Sequence, residues 1–153
     1  MRMLIVDDNR EMVALIREMI DWRTVGITEV VCAYHVDGAK AAFEDKVDIV
    51  ISDIEMPRTN GLQFIKWVRE HEYDCEFIFL TCHDSFHFVQ EAMKFSALSY
   101  VLKPFDCDEL IGEVVKARDR IHKRVNMSTY SALWLENRAT VEQKFWRDFL
   151  LSD

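Results

Sequence analysis

Residues 48–61 read Asp48-Ile49-Val50-Ile51-Ser52-Asp53-Ile54-Glu55-Met56-Pro57-Arg58-Thr59-Asn60-Gly61. The opening run, 48–52, is short and mostly β-branched, as a strand buried on both faces requires. It stops at an acid. A loop holding Pro57 and Gly61 then leads into a helical pattern over 61–71, with Leu62, Ile65 and Val68 on one stripe. Strand, acid, loop and helix together form one unit of an α/β sheet.

The same unit recurs on both sides. β-rich runs occupy 3–6, 29–34, 76–81 and 98–102, and helical patterns occupy 10–22, 37–45, 85–95 and 106–124. Met12, Val13, Ile16, Met19 and Ile20 line the first helix, and Phe88, Val89 and Met93 the fourth. Strict alternation with apolar strands predicts a parallel five-stranded sheet with helices on both faces. Right-handed crossovers that reverse around the first strand make it doubly wound, with the ligand site at the carboxyl ends of the strands.

Composition narrows the classes further. The chain has 153 residues, 19 Lys+Arg against 27 Asp+Glu, and a net charge of −8. With 50% hydrophobic and 30% charged residues, it can close a core and is not a disordered chain. The longest hydrophobic runs, 12–16 and 30–34, fall far short of the ~20 residues of a membrane helix. The stretch 3–6 ends at Asp7-Asp8, too short for a signal peptide. Cys32, Cys75, Cys82 and Cys107 form no CxxC pair, which with the lack of an export signal fits a reducing cytoplasm. The acidic balance disfavours a phosphate backbone as partner, so DNA binding by these residues alone is not expected.

The strand ends bring chemistry to one edge: Asp7 and Asp8 after the first strand, Asp53 after the third, Thr81 ending the fourth, Lys103 after the fifth. Gathered carboxylates raise one another's pKa unless a hard cation sits among them, and Mg2+ suits that place. Lys103 and Thr81 supply an ammonium and a hydroxyl for phosphoryl oxygens. Asp53, exposed at the top of the sheet, is the best-placed nucleophile, and Lys103-Pro104 permits a cis peptide that aims the lysine back.

On these residues the chain resembles the response regulator receiver domain of two-component phosphorelays, over roughly 2–124. The resemblance implies a flavodoxin-like sheet of strand order 2-1-3-4-5. It makes Asp53 the phosphoacceptor, Asp8 a direct Mg2+ ligand, Asp7 a ligand through water, and the Glu55 backbone carbonyl a further ligand beside Asp53. Thr81 and Lys103 would hold the phosphoryl group, with Thr81 and Tyr100 as the switch pair. The domain would be a signalling phosphoacceptor with slow self-dephosphorylation rather than an enzyme, served by a sensor histidine kinase. Two departures stand out: Cys82 follows Thr81 where the family usually has a smaller residue, and Glu55 adds charge near the path of attacking water.

A narrower resemblance joins Ser85-Phe86-His87-Phe88-Val89-Gln90-Glu91-Ala92-Met93 with Trp134-Leu135-Glu136-Asn137 and Phe145-Trp146-Arg147-Asp148. These look like the receiver and linker of longer bacterial regulators ending in an AraC-type helix-turn-helix. Residues 1–124 then form the receiver, and 125–153 a helical extension leading to an output domain, through which alone DNA would be bound. Phosphorylation-dependent homodimerisation is the expected output.

Plainer readings exist for each residue. Asp7 and Asp8 could cap the first helix, Asp53 could be a turn acid, Lys103 a surface cation and Tyr100 simple packing. Their joint placement at strand ends argues for a site. Cys82, His83 and His87 offer soft ligands, but a solvated helix start explains them better than zinc. Trp134 and Trp146 fit packing on the receiver as well as packing on a partner. An Asp-nucleophile, Mg-dependent phosphatase of haloacid-dehalogenase type is the rival enzyme, although its Asp-x-Asp pattern would follow the first strand. A receiver-like binding module that is never phosphorylated is the other alternative.

Overall fold

The computed structural model describes residues 1–82 and 86–136, with side chains described except at 86 and 128–136. The chain runs β1 (Arg2–Val6), α1 (Arg10–Glu18), β2 (Glu29–Ala33), α2 (Val36–Ala41), β3 (Ile49–Ser52), α3 (Gly61–Glu70), β4 (Glu76–Thr81), α4 (Phe86–Lys94), β5 (Ser99–Leu102) and α5 (Cys107–Glu136). Short 3₁₀ turns occupy Trp22–Val25 and Ala42–Glu44. The strands form one parallel sheet in the order β2-β1-β3-β4-β5, the flavodoxin-like winding expected.

Central strands β1, β3 and β4 are buried almost throughout, whereas edge strands β2 and β5 are largely half-buried. Pleating sends Leu4, Val6, Val50, Phe77 and Phe79 to one face, where they pack with Val36 and Ala39 of α2, Phe64, Ile65 and Val68 of α3, and Ala92 of α4. Met3, Ile5, Ile49, Ile51, Ile78 and Leu80 point the other way and are equally buried. Val13 and Ile16 of α1 and Leu110, Val114 and Ala117 of α5 are the apolar helix residues left to cover that face.

Several boundaries differ from the local pattern. The first helix ends at Glu18 instead of continuing to 22, because Asp21 caps a separate turn and Gly26 closes it at φ 91°. Trp22 is thereby buried, its indole N–H donating to the Ile16 carbonyl at 3.0 Å. The second helix starts one residue early, capped by the His35 ring, and gives way to a 3₁₀ turn. β2 ends at Ala33 rather than Tyr34, β5 begins at Ser99 rather than Leu98, and α4 spans Phe86–Lys94. Asp48 falls just before β3, its carboxylate accepting the Arg2 N–H at 2.8 Å.

The fifth helix does not stop at 124: α5 continues unbroken through Asn126-Met127-Ser128-Thr129 to Glu136. Compact units divide at Met1–Arg118 and Asp119–Asp153. The expected helical segment 130–151 is described only as far as Glu136, and the Trp134 side chain, Trp146, Phe145, His83 and Ser85 lie outside the described side chains. Among the described residues no helix is long and apolar enough to cross a membrane.

Candidate functional site

Val6 pairs with Ser52 in the β1–β3 ladder, so the residues that follow them, Asp7 and Asp53, leave the sheet side by side. The Asp53 N–H donates to the Val6 carbonyl at 2.9 Å, and the Asp7 N–H to the Ala33 carbonyl at 3.2 Å. Both acids are buried, and Asp8 is exposed beside them. One carboxylate oxygen from each of the three lies within 4.8 Å of the others. The alternative use for the first two acids falls away, because Asn9 caps α1 by accepting from the Glu11 and Met12 N–H groups at 3.1 and 3.2 Å. Asp7 instead turns inward, its Oδ1 accepting the Asn9 N–H at 2.9 Å.

Lys103 arrives from β5. Leu102 pairs with Thr81 across the β4–β5 ladder, the Lys103 N–H donates to the Thr81 carbonyl at 2.8 Å, and the Lys103-Pro104 peptide is cis. The ammonium lies 2.7 Å from Asp7 Oδ2 and 3.5 Å from Asp53 Oδ2, with its side chain 11% exposed. Burial pulls the lysine pKa down, but the hydrogen bond to Asp7 and the charges of Asp53 and Asp7 outweigh it and hold the group above its ordinary value. Asp8 is pushed up, first by burial, then by the Asp7 charge and hydrogen bond, with Asp53 adding to both. One ammonium against three carboxylates leaves an excess of negative charge on hard oxygen donors. Such a donor set fits a divalent oxygen-seeking cation.

Asp53 is anchored on both sides. Its Oδ1 accepts the Ile54 N–H at 2.7 Å, and its carbonyl accepts the Ser52 hydroxyl at 2.8 Å. The chain then doubles back so that the Gly61 N–H donates to the Ile54 carbonyl at 2.7 Å. Thr81 is fully buried at the end of β4. Tyr100, half-buried on β5, lies 6.4 Å from the Phe79 ring, and Glu55 is exposed two residues after Asp53. Cys82 is exposed next to Thr81 and His87 is exposed on α4. Among the described residues, the acids at 7, 8 and 53 form the group able to hold a metal, with no member from the Cys82 and His87 set.

Other side chains share this edge without any local sequence signal beyond their nearness to strand ends. The Arg10 guanidinium stacks 3.9 Å over the Tyr34 ring, and a cleft of about 310 Å3 opens between His35 and Arg58.

Residues 3–115 match the family described as the response regulator receiver domain. A response regulatory protein of Staphylococcus epidermidis is 30% identical over 112 residues, covering 71% of this chain and 43% of that protein. The transcriptional regulatory protein CpxR of Klebsiella pneumoniae is 28% identical over 141 residues, covering 92% and 54%. This chain therefore spans about half the length of these curated relatives. Among solved structures, the receiver domain of AraT, a response regulator from Geobacillus stearothermophilus, superposes with a TM-score of 0.73 at 31% identity, covering 80% of this chain and 96% of that one. A two component transcriptional regulator AraC from Clostridium phytofermentans shares the fold, with a TM-score of 0.74 at 24% identity over 80% and 96% of the chains. The match over residues 3–115, carried on a sheet wound in the same order, makes this chain a member of the response regulator receiver family of two-component systems.

Proposed function

We propose that Asp53 is the phosphoacceptor of this receiver, taking a phosphoryl group from a sensor histidine kinase. The observation that carries the reading is the meeting of Asp7, Asp8 and Asp53 with the Lys103 ammonium at one sheet edge. In the transfer, an Asp53 oxygen forms a bond to phosphorus as the P–N bond of the phosphohistidine breaks. The electron pair returns to the imidazole nitrogen, which takes up a proton. The Ile54 N–H fixes the carboxylate through Oδ1, while Lys103 stands on the Oδ2 side, placed to follow the developing charge on the phosphoryl oxygens.

Asp8, Asp53 and the Glu55 backbone carbonyl are the groups that would hold Mg2+, with Asp7 acting through a water. When bound, the ion supplies charge neutralisation for the transferred phosphoryl oxygens. The Thr81 hydroxyl then turns toward the acyl phosphate and Tyr100 takes up the released space, biasing a two-state surface at α4 and β5. We assign residues 1–124 to the receiver and 125–153 to a helical link toward an output domain of AraC type, so that phosphorylation promotes homodimerisation and DNA is reached through that domain. The signal is carried as a phosphorylation state rather than as turnover.

Incubation with acetyl phosphate and Mg2+ should add one phosphoryl mass to the intact protein. The adduct should be lost in Asp53→Ala and when Mg2+ is withheld. A matching shift to dimer in size-exclusion light scattering is expected for the wild type alone. Catalytic turnover of p-nitrophenyl phosphate would point to the phosphatase reading, and failure to label would leave a binding module.

A further inference from the structure

We infer that the cleft between the loops following β2 and β3 is an anion-binding vestibule that captures the phosphate of a small phosphodonor at the sheet edge that carries Asp53. The inference rests on the phosphoacceptor reading. The cleft, about 310 Å3, is lined by Tyr34, His35, Asp37, Pro57, Arg58 and Thr59. β2 and β3 are the two neighbours of β1, which leads into Asp7 and Asp8, so both lining loops leave the sheet at the same edge as those acids.

Its lining is rich in donors that no described residue uses. His35 Nδ1 accepts the Gly38 N–H at 2.9 Å, which in the neutral ring places the proton on Nε2 as a donor. Arg58 makes no hydrogen bond or ion pair with any described residue, and the Tyr34 and Thr59 hydroxyls likewise have no described partner. A second guanidinium, Arg10, lies 3.9 Å over the ring of Tyr34, which lines the cleft. The lining itself carries one guanidinium, Arg58, and one acid, Asp37.

Arg58 also adopts φ 73°, a left-handed conformation that a residue with a Cβ takes at a cost. The turn therefore holds a guanidinium with no described partner where glycine would suit the backbone better. A chain of net charge −8, with three carboxylates at its reacting edge, repels an incoming phosphate. Cations at the mouth offset that repulsion and raise the local donor concentration. The fork of Arg58 and the neighbouring hydroxyl match the oxygens of a phosphate.

The test is Arg58→Gly, which removes the guanidinium and suits the backbone, alongside Arg58→Lys, which keeps the charge but not the fork. Acetyl phosphate labelling, followed by intact mass in saturating Mg2+, should show a half-saturating concentration about 3- to 10-fold higher in Arg58→Gly, with an unchanged maximal rate and a weaker dependence on salt. Arg58→Lys should fall between the two. Separately, inorganic phosphate titrated into Asp53→Ala protein should shift the amide resonances of 34–38 and 57–60 saturably, and Arg58→Gly in that background should abolish the shifts. Equal half-saturation in wild type and Arg58→Gly, or phosphate shifts that stay linear, would overturn the vestibule while leaving the acceptor reading intact. Saturable phosphate shifts together with no acetyl phosphate labelling of the wild-type protein would instead overturn the acceptor reading.

Discussion

Gly61 shows how tightly one residue can constrain the backbone at Asp53. A Cβ built there would fall inside the van der Waals contact of the Asp53 carbonyl oxygen, and at 3.0 Å from Ile54 Cα and from the Phe79 ring. The nearest of these atoms is backbone, so the loop itself must move. Gly61→Ala is expected to lower stability by about 1–3 kcal/mol in urea unfolding and to slow acetyl phosphate labelling as Asp53 shifts. Equal labelling by a destabilised variant would separate the packing role from the positioning role. The neighbouring residues were unevenly legible. Asp53 and Lys103 could be read from strand ends, because an apolar run that stops at a charge marks the sheet edge. That Asn9 caps α1 and so leaves Asp7 to meet Lys103 could not, because Asp, Asn and Ser are close to equivalent as caps in sequence.

Among the elements, α3 carries the clearest case of a helix end tied into the fold. Arg69 in its last turn donates to the carbonyls of Phe95 at 3.0 Å, Cys75 at 2.8 Å and Ser96 at 3.2 Å. One planar fork thus closes the loop before β4 and the chain leaving α4, where Ser96 is left-handed at φ 62°. Replacing it by lysine keeps the charge and loses the simultaneous contacts. Arg69→Lys should cost about 1–3 kcal/mol in denaturant unfolding and speed amide exchange at 95–97 relative to β1. At its other end α3 is closed by a capping box, with Asn60 and Gln63 bonded reciprocally at 2.8 and 3.2 Å. The Asn60-Gly61 start of this helix was readable from sequence. The length of α5 was not, because a fall in apolar periodicity after 124 does not break a helix whose residues have no reason to leave it.

At the scale of the whole molecule, Cys75 reports on global integrity. Its thiol is 1% exposed, and burial pushes its pKa from an ordinary 9.0 up to about 12, with the Arg69 charge acting weakly in the other direction. A raised folded value means that the folded state keeps its proton where the unfolded thiol ionises. The stability this contributes is full below about pH 9 and is lost progressively as pH rises from 9 toward 12. Thiol titration of the native protein should therefore find exposed Cys82 and Cys107 reacting at once and Cys75 only on unfolding, with the unfolding midpoint of wild type falling faster than that of Cys75→Ala above pH 9. Rapid native reaction at Cys75 would contradict this packing. By itself the sequence determined the alternation of strands and helices, the parallel winding and the set of charged residues at the carboxyl edge, because periodicity is local and parallel strands all end on one side. Only the tertiary structure decided that Lys103 lies nearer to Asp7 than to Asp53, that Trp22 turns in on Ile16, and that Arg58 and His35 flank a cleft. The Lys103–Asp7 bond joins residues 96 apart in the chain, and distances of that kind follow from how loops close over a packed sheet rather than from any local pattern.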